Sequence, residues 1–225
     1  MELGTFSIVA RCKKTKDFGV ASCTAAPCVG AMLPYATEGV GAIATQAWVN
    51  VNLGYQGIEL MRLGVSVKAA LDALLSDDEG RSRRQVIGID PSSTFGYTGD
   101  LCTDAKGHVL GDDFAVAGNI LADKRVLDEM AESFKRSKGE LSHRLLVALE
   151  AGQAAGGDHR GKLSATLLVA SSKPSLSHNL RVDHHNNPLA ELKRIHEECE
   201  RLEQEYQGAD ENGEVLRRRV VRAQK

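Results

Sequence analysis

The sequence predicts an α+β protein built as a four-layer αββα sandwich, in which two mainly antiparallel sheets lie between outer pairs of helices. Three features of the 225-residue chain lead to this fold class. Strand-like apolar segments come in blocks, two pairs of helix-like segments separate the blocks, and one long helix follows the last block. A doubly wound parallel sheet would instead place a single helix between successive strands. The chain is long enough to bury the core of one large domain.

The first block of strands opens with a hairpin. Residues Thr5–Arg11 form a β-branched, alternating run that is typical of a strand covered on both faces. A polar turn at Lys13–Asp17 leads to the returning strand at Gly19–Ser22. Prolines and a glycine between residues 27 and 34 then predict a loop, and Gly39–Trp48 predicts a further buried strand.

The first helix pair and a second block of strands follow. We expect a helix at Gly54–Leu63 and a second helix that begins after the N-cap residue Ser66, with its leucines on one face. The segments Gln85–Asp90 and Ser93–Gly99 predict a hairpin. Phe114–Leu121 predicts another strand, which ends in a turn.

The second helix pair occupies Ala122–Arg136 and Leu141–Ala155, each with its apolar residues on one stripe. A glycine-rich loop then leads to a buried strand at Leu163–Ala170 and a weaker strand at Asn179–His185. Residues 1–187 are therefore expected to form the αββα domain.

The C-terminal part of the chain predicts a long helix over residues 188–207 and a tail. Pro188 lies in the first turn, where proline is favoured. The apolar residues of this helix are three and four positions apart, as in a coiled-coil seam: Leu192, Ile195, Cys199, Leu202 and Tyr206. The helix either packs on its own domain or forms the contact of a homodimer. The polar segment 208–225 ends in a basic cluster and is expected to be loosely ordered.

Charge and hydropathy exclude several classes of partner. A formal net charge of -2 gives no electrostatic reason to bind nucleic acid or an anionic membrane. No apolar run approaches the roughly 20 residues that span a bilayer, and the N-terminus lacks the pattern of a signal peptide. We therefore expect a cytoplasmic protein that binds a small-molecule substrate or ligand, with no nucleic-acid and no membrane partner.

The cysteines and histidines predict neither a disulfide framework nor a metal site. The five cysteines include no CxxC pair, so reduced structural thiols are expected. His184 and His185 are adjacent on a predicted strand, where neighbouring side chains point to opposite faces and would not share an ion. Asp183 and His184 more simply hold the start of the last helix. We expect no metal and no cofactor.

Several segments of the chain resemble the family catalogued as domain of unknown function 1028. They are TFSIVAR, GVGAIATQAW, GYQGIELMRLG, AVAGNILA, LLVALEAGQAAGGDHRGKLSATLLV and LRVDHHNNPLAELKRI, which together span Thr5 to Ile195. The resemblance implies the N-terminal-nucleophile hydrolase fold, the αββα sandwich also found in proteasome subunits and glutamine amidotransferases. It agrees with the layers that the order of segments predicts.

The resemblance makes Thr5 the candidate nucleophile. In hydrolases of this fold the first residue is Ser, Thr or Cys. Its side chain attacks a carbonyl, and its free α-amine, with a pKa of roughly 8, accepts the proton. Thr5 would gain that amine only after removal of Met1–Gly4, and Gly-Thr bonds are self-processing junctions in this superfamily. The alternative is that Thr5 is an ordinary strand residue in a fold that does not use this chemistry.

Polar residues at strand ends supply further candidates. Gln46 and Trp48 end a buried strand, where they either bind an amide or carboxylate and shield it from water, or are satisfied within the core. Asn119 follows a strand and a glycine. Its amide either donates to the oxyanion of an amide-cleaving reaction or caps the next helix.

The loop AGGDHRGKLS supplies candidates for substrate binding. Gly157 permits close approach of the backbone to a ligand. Arg160 is suited to fork onto a carboxylate, and Asp158 either holds an amine or orients Arg160. The alternative is a tight connection from helix to strand, in which the glycines simply turn the chain.

Together these residues predict an amidohydrolase that acts on a small amide or an acylated amino compound. Two other functions stay open, because a fold does not determine a function. One is a non-catalytic small-molecule-binding protein on the same scaffold. The other is a structural subunit that dimerises through residues 188–206.

Overall fold

Two antiparallel sheets contain the strands of residues 3–207, which are the residues that this computed structural model describes. In chain order the strands are β1 (Thr5–Arg11), β2 (Phe18–Thr24), β3 (Pro34–Thr37), β4 (Gly41–Ala47), β5 (Arg84–Ile89), β6 (Thr94–Thr98), β7 (Gly107–Leu110), β8 (Phe114–Asn119), β9 (Ser164–Ala170) and β10 (His178–Val182). The six-stranded sheet has the order β10-β9-β2-β1-β8-β7 and the four-stranded sheet the order β3-β4-β5-β6. β1 therefore lies inside the larger sheet, between β2 and β8.

Five α-helices in the described part of the chain cover the outer faces of the sheets. They are α1 (Val51–Arg62), α2 (Val67–Ser76), α3 (Arg125–Arg136), α4 (Leu141–Ala154) and α5 (Pro188–Gln207). The pair α1 and α2 packs on the four-stranded sheet, and α3, α4 and α5 pack on the six-stranded sheet. The predicted α+β class with two antiparallel sheets is confirmed.

The layers follow from the alternation of side chains along the central strand. All residues of β1 are buried. Phe6 and Ile8 belong to the core beneath α3 and α4, whereas Val9 belongs to the core between the two sheets. Because side chains alternate along a strand, Thr5 and Ser7 share the face of Val9 and point toward the four-stranded sheet. A strand that is buried on both faces in this way leaves its polar residues inside the molecule.

The layer between the sheets is apolar at one end and polar at the other. Around Val9 it consists of apolar residues such as Phe18, Leu33 and Ile87. Near the start of β1 it consists of fully buried polar side chains, namely Thr5, Ser7, Ser22, Thr24, Gln46, Gln85 and Asn119. Buried polar groups are costly unless they are hydrogen-bonded, so the polar end is the unusual half of this layer.

Two strands differ from the sequence prediction. β3 begins at Pro34 in a segment that was expected to be a loop, and β7 was not predicted at all. Each has only four residues, none of them fully buried, and each lies at the edge of its sheet. Proline is tolerated at an edge, where its missing N–H costs no ladder bond. Short, half-exposed edge strands lack the apolar alternation on which sequence prediction depends.

Two helices, α1 and α3, begin at residues other than those that the sequence predicted. α1 begins at Val51, earlier than predicted, because the side chain of Asn50 accepts a hydrogen bond from the backbone N–H of Asn52 at 3.1 Å. α3 begins at Arg125, later than predicted, and Asp123 accepts from its backbone N–H at 2.8 Å. For α1, a local side-chain acceptor rather than the apolar stripe marks where the helix begins.

The last helix, α5, packs on the six-stranded sheet through its first turns. Leu189 and Leu192 are buried in the core beneath it, and Ile195 packs against the same core. The predicted tail, residues 208–225, lies outside the described residues. No helix within residues 3–207 combines the length and the apolar character needed to cross a membrane.

Candidate active site

Polar side chains from five strands meet at the start of β1. Thr5 lies opposite Thr24 of β2 and opposite Asn119 of β8 in the register of the larger sheet. From the smaller sheet, Gln46 near the end of β4 lies opposite Gln85 near the start of β5. All five residues have 0% of their surface exposed. The fold therefore brings Thr5, Gln46 and Asn119, which the sequence predicted separately, into one buried cluster.

A network of side-chain amides joins the two sheets at this cluster. Gln46 Nε2 donates to Gln85 Oε1 at 2.7 Å and to the backbone oxygen of Thr5 at 3.4 Å. Asn119 Nδ2 donates to the same Gln85 Oε1 at 2.9 Å, and Gln85 Nε2 donates to the backbone oxygen of Gly118 at 2.9 Å. Gln85 is thus the hub that links the smaller sheet to β8, one of the two strands beside Thr5.

Several polar atoms of the cluster are buried without a partner. Among the described residues, Gln46 Oε1 and Asn119 Oδ1 accept no hydrogen bond, and neither do the hydroxyl oxygens of Ser7 and Ser22. Leaving such a group unsatisfied costs about 1–3 kcal/mol. Because most buried polar groups in proteins are satisfied, a group of orphaned acceptors beside one residue marks that residue's surroundings as a candidate site.

The residues before Thr5 close this site. The Thr5 hydroxyl donates to the backbone oxygen of Leu3 at 3.1 Å. Leu3 itself is 7% exposed, and its N–H donates to the oxygen of Ala47 at 2.9 Å, so it forms a bridge to the end of β4. In the chain that carries Leu3 and Gly4, the Thr5 hydroxyl is therefore sealed from solvent.

The carbonyl of the Gly4–Thr5 peptide bond is held by two donors. The Thr24 hydroxyl donates to the Gly4 oxygen, and Arg160 Nη2 donates to the same oxygen at 3.2 Å. Arg160 also forks onto Asp158, with Nη2 at 2.8 Å from Oδ2 and Nε at 3.1 Å from Oδ1. The Asp158 side chain is completely buried, whereas that of Arg160 is 38% exposed. A charged fork and a hydroxyl thus polarise this carbonyl.

The loop after α4 places Asp158 by means of a glycine turn. Gly157 has a φ of 61°, and a Cβ there would approach the Phe6 ring to 3.0 Å. The backbone oxygen of Gly157 accepts from the N–H of Ala122 at 2.9 Å. Asp158 then forms a bridge with Leu121, just beyond β8. Gly157 was predicted to let the backbone approach a ligand closely. In the structure its backbone instead lies close to β1 and to the residues just after β8.

Two strained residues flank the segment that covers Thr5. Ala47, the bridge partner of Leu3, has a φ of 62°, and Ile120, next to Gly4, has a φ of 52°. A positive φ is uncommon for non-glycine residues and is a real outlier for a β-branched side chain such as isoleucine. Backbone strain of this kind costs about 1–3 kcal/mol and concentrates at functional sites.

Trp48 lies outside the cluster. It is 36% exposed, and its ring faces the guanidinium of Arg83 at 5.3 Å. The positive φ of Ala47 interrupts the strand just before it, so the alternation that buries Gln46 does not continue to Trp48.

Thr24 and Gln85 belong to the cluster although the sequence analysis did not identify them. Gln85 opens a buried apolar strand, the same signal that identified Gln46 at a strand end. Thr24 is the last residue of β2, directly opposite Thr5.

Cys23, which precedes Thr24 on β2, is the cysteine of the strand that pairs with Thr5. Burial raises the pKa of Cys23 to about 12, against the opposing charge of Lys162, so this thiol stays protonated at neutral pH. Within residues 3–207 no group of three or more His, Cys, Asp or Glu side chains is placed to hold a metal ion.

A cleft of about 490 Å³ opens at the other end of β1, with Cys12, Asp17 and Ser142 in its lining. At about 3.3 Å per strand residue it lies on the order of 20 Å from Thr5.

Comparison with known proteins identifies a family and structural relatives. Residues 5–192 match the model of a family of unknown function, DUF1028. The crystal structure of protein SPO2555 from Silicibacter pomeroyi, which carries the same family assignment, is 32% identical in sequence and superimposes with a TM-score of 0.80. The alignment covers 87% of this chain and 89% of that one. No curated protein matches the chain.

Proposed function

The chain belongs to the DUF1028 family, and from that premise we propose that it is an N-terminal-nucleophile amidohydrolase with Thr5 as its nucleophile, acting on a small amide or acylated amino compound. The observation that carries the proposal is the Gly4–Thr5 peptide bond itself. Its carbonyl oxygen accepts from the Thr24 hydroxyl and from Arg160, while the hydroxyl of Thr5 follows directly in the chain. The family match also begins at residue 5.

The first step is cleavage before Thr5. Thr5 Oγ1 attacks the Gly4 carbonyl carbon and closes a five-membered ring, and the negative charge develops on the Gly4 oxygen. Arg160 and Thr24 stabilise that charge, and the loss of one such donor typically costs a factor of 10²–10³ in rate. The C–N bond breaks, the hydroxyl proton passes to the Thr5 nitrogen, and an ester remains. Water then hydrolyses the ester, which releases a Gly4 carboxylate and leaves Thr5 with a free amine and its hydroxyl.

The second step uses the new amine on a substrate. The Thr5 amine accepts the hydroxyl proton while Oγ1 attacks the substrate carbonyl, and it returns a proton to the leaving amine. The orphaned oxygens of Gln46 and Asn119 supply acceptors for the ammonium form. Asn119 was predicted as an oxyanion donor. Its Nδ2 is bonded to Gln85, so we assign its free Oδ1 to the amine and give the oxyanion to Thr24 and Arg160.

Cleavage is tested by the intact mass of the chain expressed with residues 1–225. We expect the mass to fall by that of Met1–Gly4, and a Thr5→Val variant, which keeps the shape but lacks the hydroxyl, to stay uncleaved and inactive on acyl 4-nitroanilides. Ser7→Ala is the matched control, because Ser7 lies on the same face of β1 and its hydroxyl has no partner. It should be cleaved like the parent chain. A parent chain whose mass never changes would contradict the proposal.

A non-catalytic binding protein is the second candidate. The observation that favours it is the contrast between the sealed Thr5 hydroxyl and the open cleft of about 490 Å³ at the other end of β1. A chain that keeps its full mass, while a ligand raises its melting temperature equally in the parent and the Thr5→Val variant, would favour binding over catalysis.

A further inference from the structure

We infer that the site selects acyl groups in which glycine carries the reacting carbonyl and an apolar residue comes directly before that glycine. Its substrates are therefore amides of the type acyl-Leu-Gly. This inference rests on the proposed function and adds the substrate class to it. The segment Leu3–Gly4 is read as the first acyl group that the site processes. Its contacts therefore describe the acyl pocket.

The residues before Thr5 and the acyl group of a substrate form the same kind of ester with Thr5. Cleavage before Thr5 passes through an ester that joins the Gly4 acyl group to Thr5 Oγ1. Hydrolysis of a substrate amide passes through an ester of the same oxygen. Both esters need the same donors, Thr24 and Arg160, at the acyl oxygen. An acyl group on Thr5 therefore occupies the space that Gly4 and Leu3 occupy in the structure.

The pocket around Gly4 has no room for a side chain. A Cβ on Gly4 would lie 2.5 Å from Arg160 Nη2, 2.8 Å from Asp158 Oδ2 and 2.9 Å from Ile120 Cβ. Contacts below 3.0 Å are essentially never found at real Cβ atoms, so a side chain at position 4 would force its surroundings to shift.

Two of the three neighbours of Gly4, Asp158 and Ile120, are held in place by hydrogen bonds. Asp158 is completely buried and bound twice by Arg160. Ile120 is held by its N–H, which donates to Thr103, and by its oxygen, which accepts from His159 at 2.8 Å. The wall therefore discriminates by sterics against any substituent next to the acyl carbonyl.

The position before the glycine favours an apolar residue in an extended backbone. Leu3 is 7% exposed, and its N–H donates to the Ala47 oxygen at 2.9 Å. An acyl-Leu-Gly group repeats both features, because it offers an apolar side chain and an N–H at the same positions. Burying such a side chain contributes about 1.5–3 kcal/mol.

The experiment compares two substrates on the self-cleaved protein. We expect kcat/KM for N-acetyl-Leu-Gly 4-nitroanilide to exceed that for N-acetyl-Leu-Ala 4-nitroanilide at least tenfold. Ile120→Gly removes one of the three neighbours of the glycine position and suits the positive φ there, so it should lower the ratio of kcat/KM between the glycyl and the alanyl substrate. In the uncleaved chain, Gly4→Ala should slow cleavage at least tenfold, whereas Leu3→Met, which keeps a similar apolar volume, should not.

The outcomes separate this inference from the proposed function. Equal rates on the glycyl and alanyl substrates, or normal cleavage of the Gly4→Ala chain, would overturn the acyl selectivity and leave the hydrolase standing. A parent chain that neither loses mass nor cleaves any anilide would overturn both.

Discussion

Arg160 brings a positive charge to the Gly4 oxygen and is held in position by Asp158. Its guanidinium binds the buried Asp158 carboxylate in a fork and at the same time reaches the Gly4 oxygen at 3.2 Å. A lysine carries the same charge, but as a point donor it does not reproduce two parallel hydrogen bonds and a third contact. The planar fork, rather than the charge alone, is therefore what orients the donor toward the carbonyl of the Gly4–Thr5 peptide bond.

Arg160→Lys should slow cleavage before Thr5 by about 10² while the chain still folds, because one oxyanion donor is displaced. The measurement is the half-time of the mass change, with the melting temperature as the check on folding. Arg125→Lys is the matched control, since Arg125 is exposed and paired only at the surface with Asp123. Cleavage of both variants at the parent rate would remove Arg160 from the proposed mechanism.

At this scale the sequence indicated residues of the buried polar cluster better than it indicated their hydrogen-bond partners. Gln46 and Asn119 were recognisable because a polar residue at the end of a buried strand is unusual. Gln85 is likewise a polar residue near the end of a buried strand. Its pairing with Gln46 depends on the register between β4 and β5, which the sequence does not reveal. Nothing in the sequence indicates that Gly4 fits against Arg160, because the two are 156 positions apart in the chain and meet only through the turn at Gly157.

At the scale of elements, helix α1 shows how a close contact depends on one glycine. Gly54 faces the ring of Tyr35 on the edge strand β3, and a Cβ at Gly54 would overlap that ring. Tyr35 is held in place by its hydroxyl, which donates to the Met32 oxygen at 3.0 Å, and by an edge-on contact with Tyr55. Burial, followed by the charge of Tyr55, raises the pKa of Tyr35 to about 12. The sequence did not predict β3, so it did not predict this contact either.

Gly54→Ala should therefore lower the free energy of unfolding, although alanine is the better helix former by about 1 kcal/mol. The overlap with Tyr35 should cost about 1–3 kcal/mol in repacking, which is more than the gain in helix propensity. Unfolding in urea measures the difference. Gln56→Ala, at an exposed position of the same helix, should change the stability by less than about 0.5 kcal/mol. A Gly54→Ala protein as stable as the parent would show that the ring moves freely.

At the scale of the whole molecule, the layer between the sheets has an apolar half and a polar half that are stabilised in different ways. Its apolar half, around Val9, buries side chains without any hydrogen-bonding requirement. Its polar half, around Thr5, depends on Gln85 to satisfy the amides of both sheets. The order of segments was sufficient to predict the two sheets and their helices. The division within the layer was not predictable, because it depends on the register that places one polar residue opposite another.

A pair of buried histidines lies where the edge strand β10 of the larger sheet meets α5. This pair predicts how the stability of the protein depends on pH. His178 of β10 is 8% exposed, and its ring centroid lies 5.0 Å from that of His196 on α5. Burial, followed by the charge of His196, lowers the pKa of His178 to about 4 from its ordinary value of 6.5. The pKa of His196 is also lowered, chiefly by burial. The unfolded chain therefore binds a proton between pH 6.5 and 4 that the folded chain does not.

Because the unfolded state holds the extra proton, the free energy of unfolding should fall as the pH drops from about 6.5 toward 4. The His178 proton alone should account for about 3 kcal/mol of that fall, at about 1.36 kcal/mol per pKa unit. Urea unfolding at pH 7 and pH 4.5 measures this. His178→Phe keeps an aromatic ring that takes no proton, so its stability should fall less over the same interval. His184→Asn, at an exposed position, should fall as the parent does. If His178→Phe and the parent lose the same stability between the two pH values, the proton is bound elsewhere and the contact between β10 and α5 is not the acid-sensitive part of the fold.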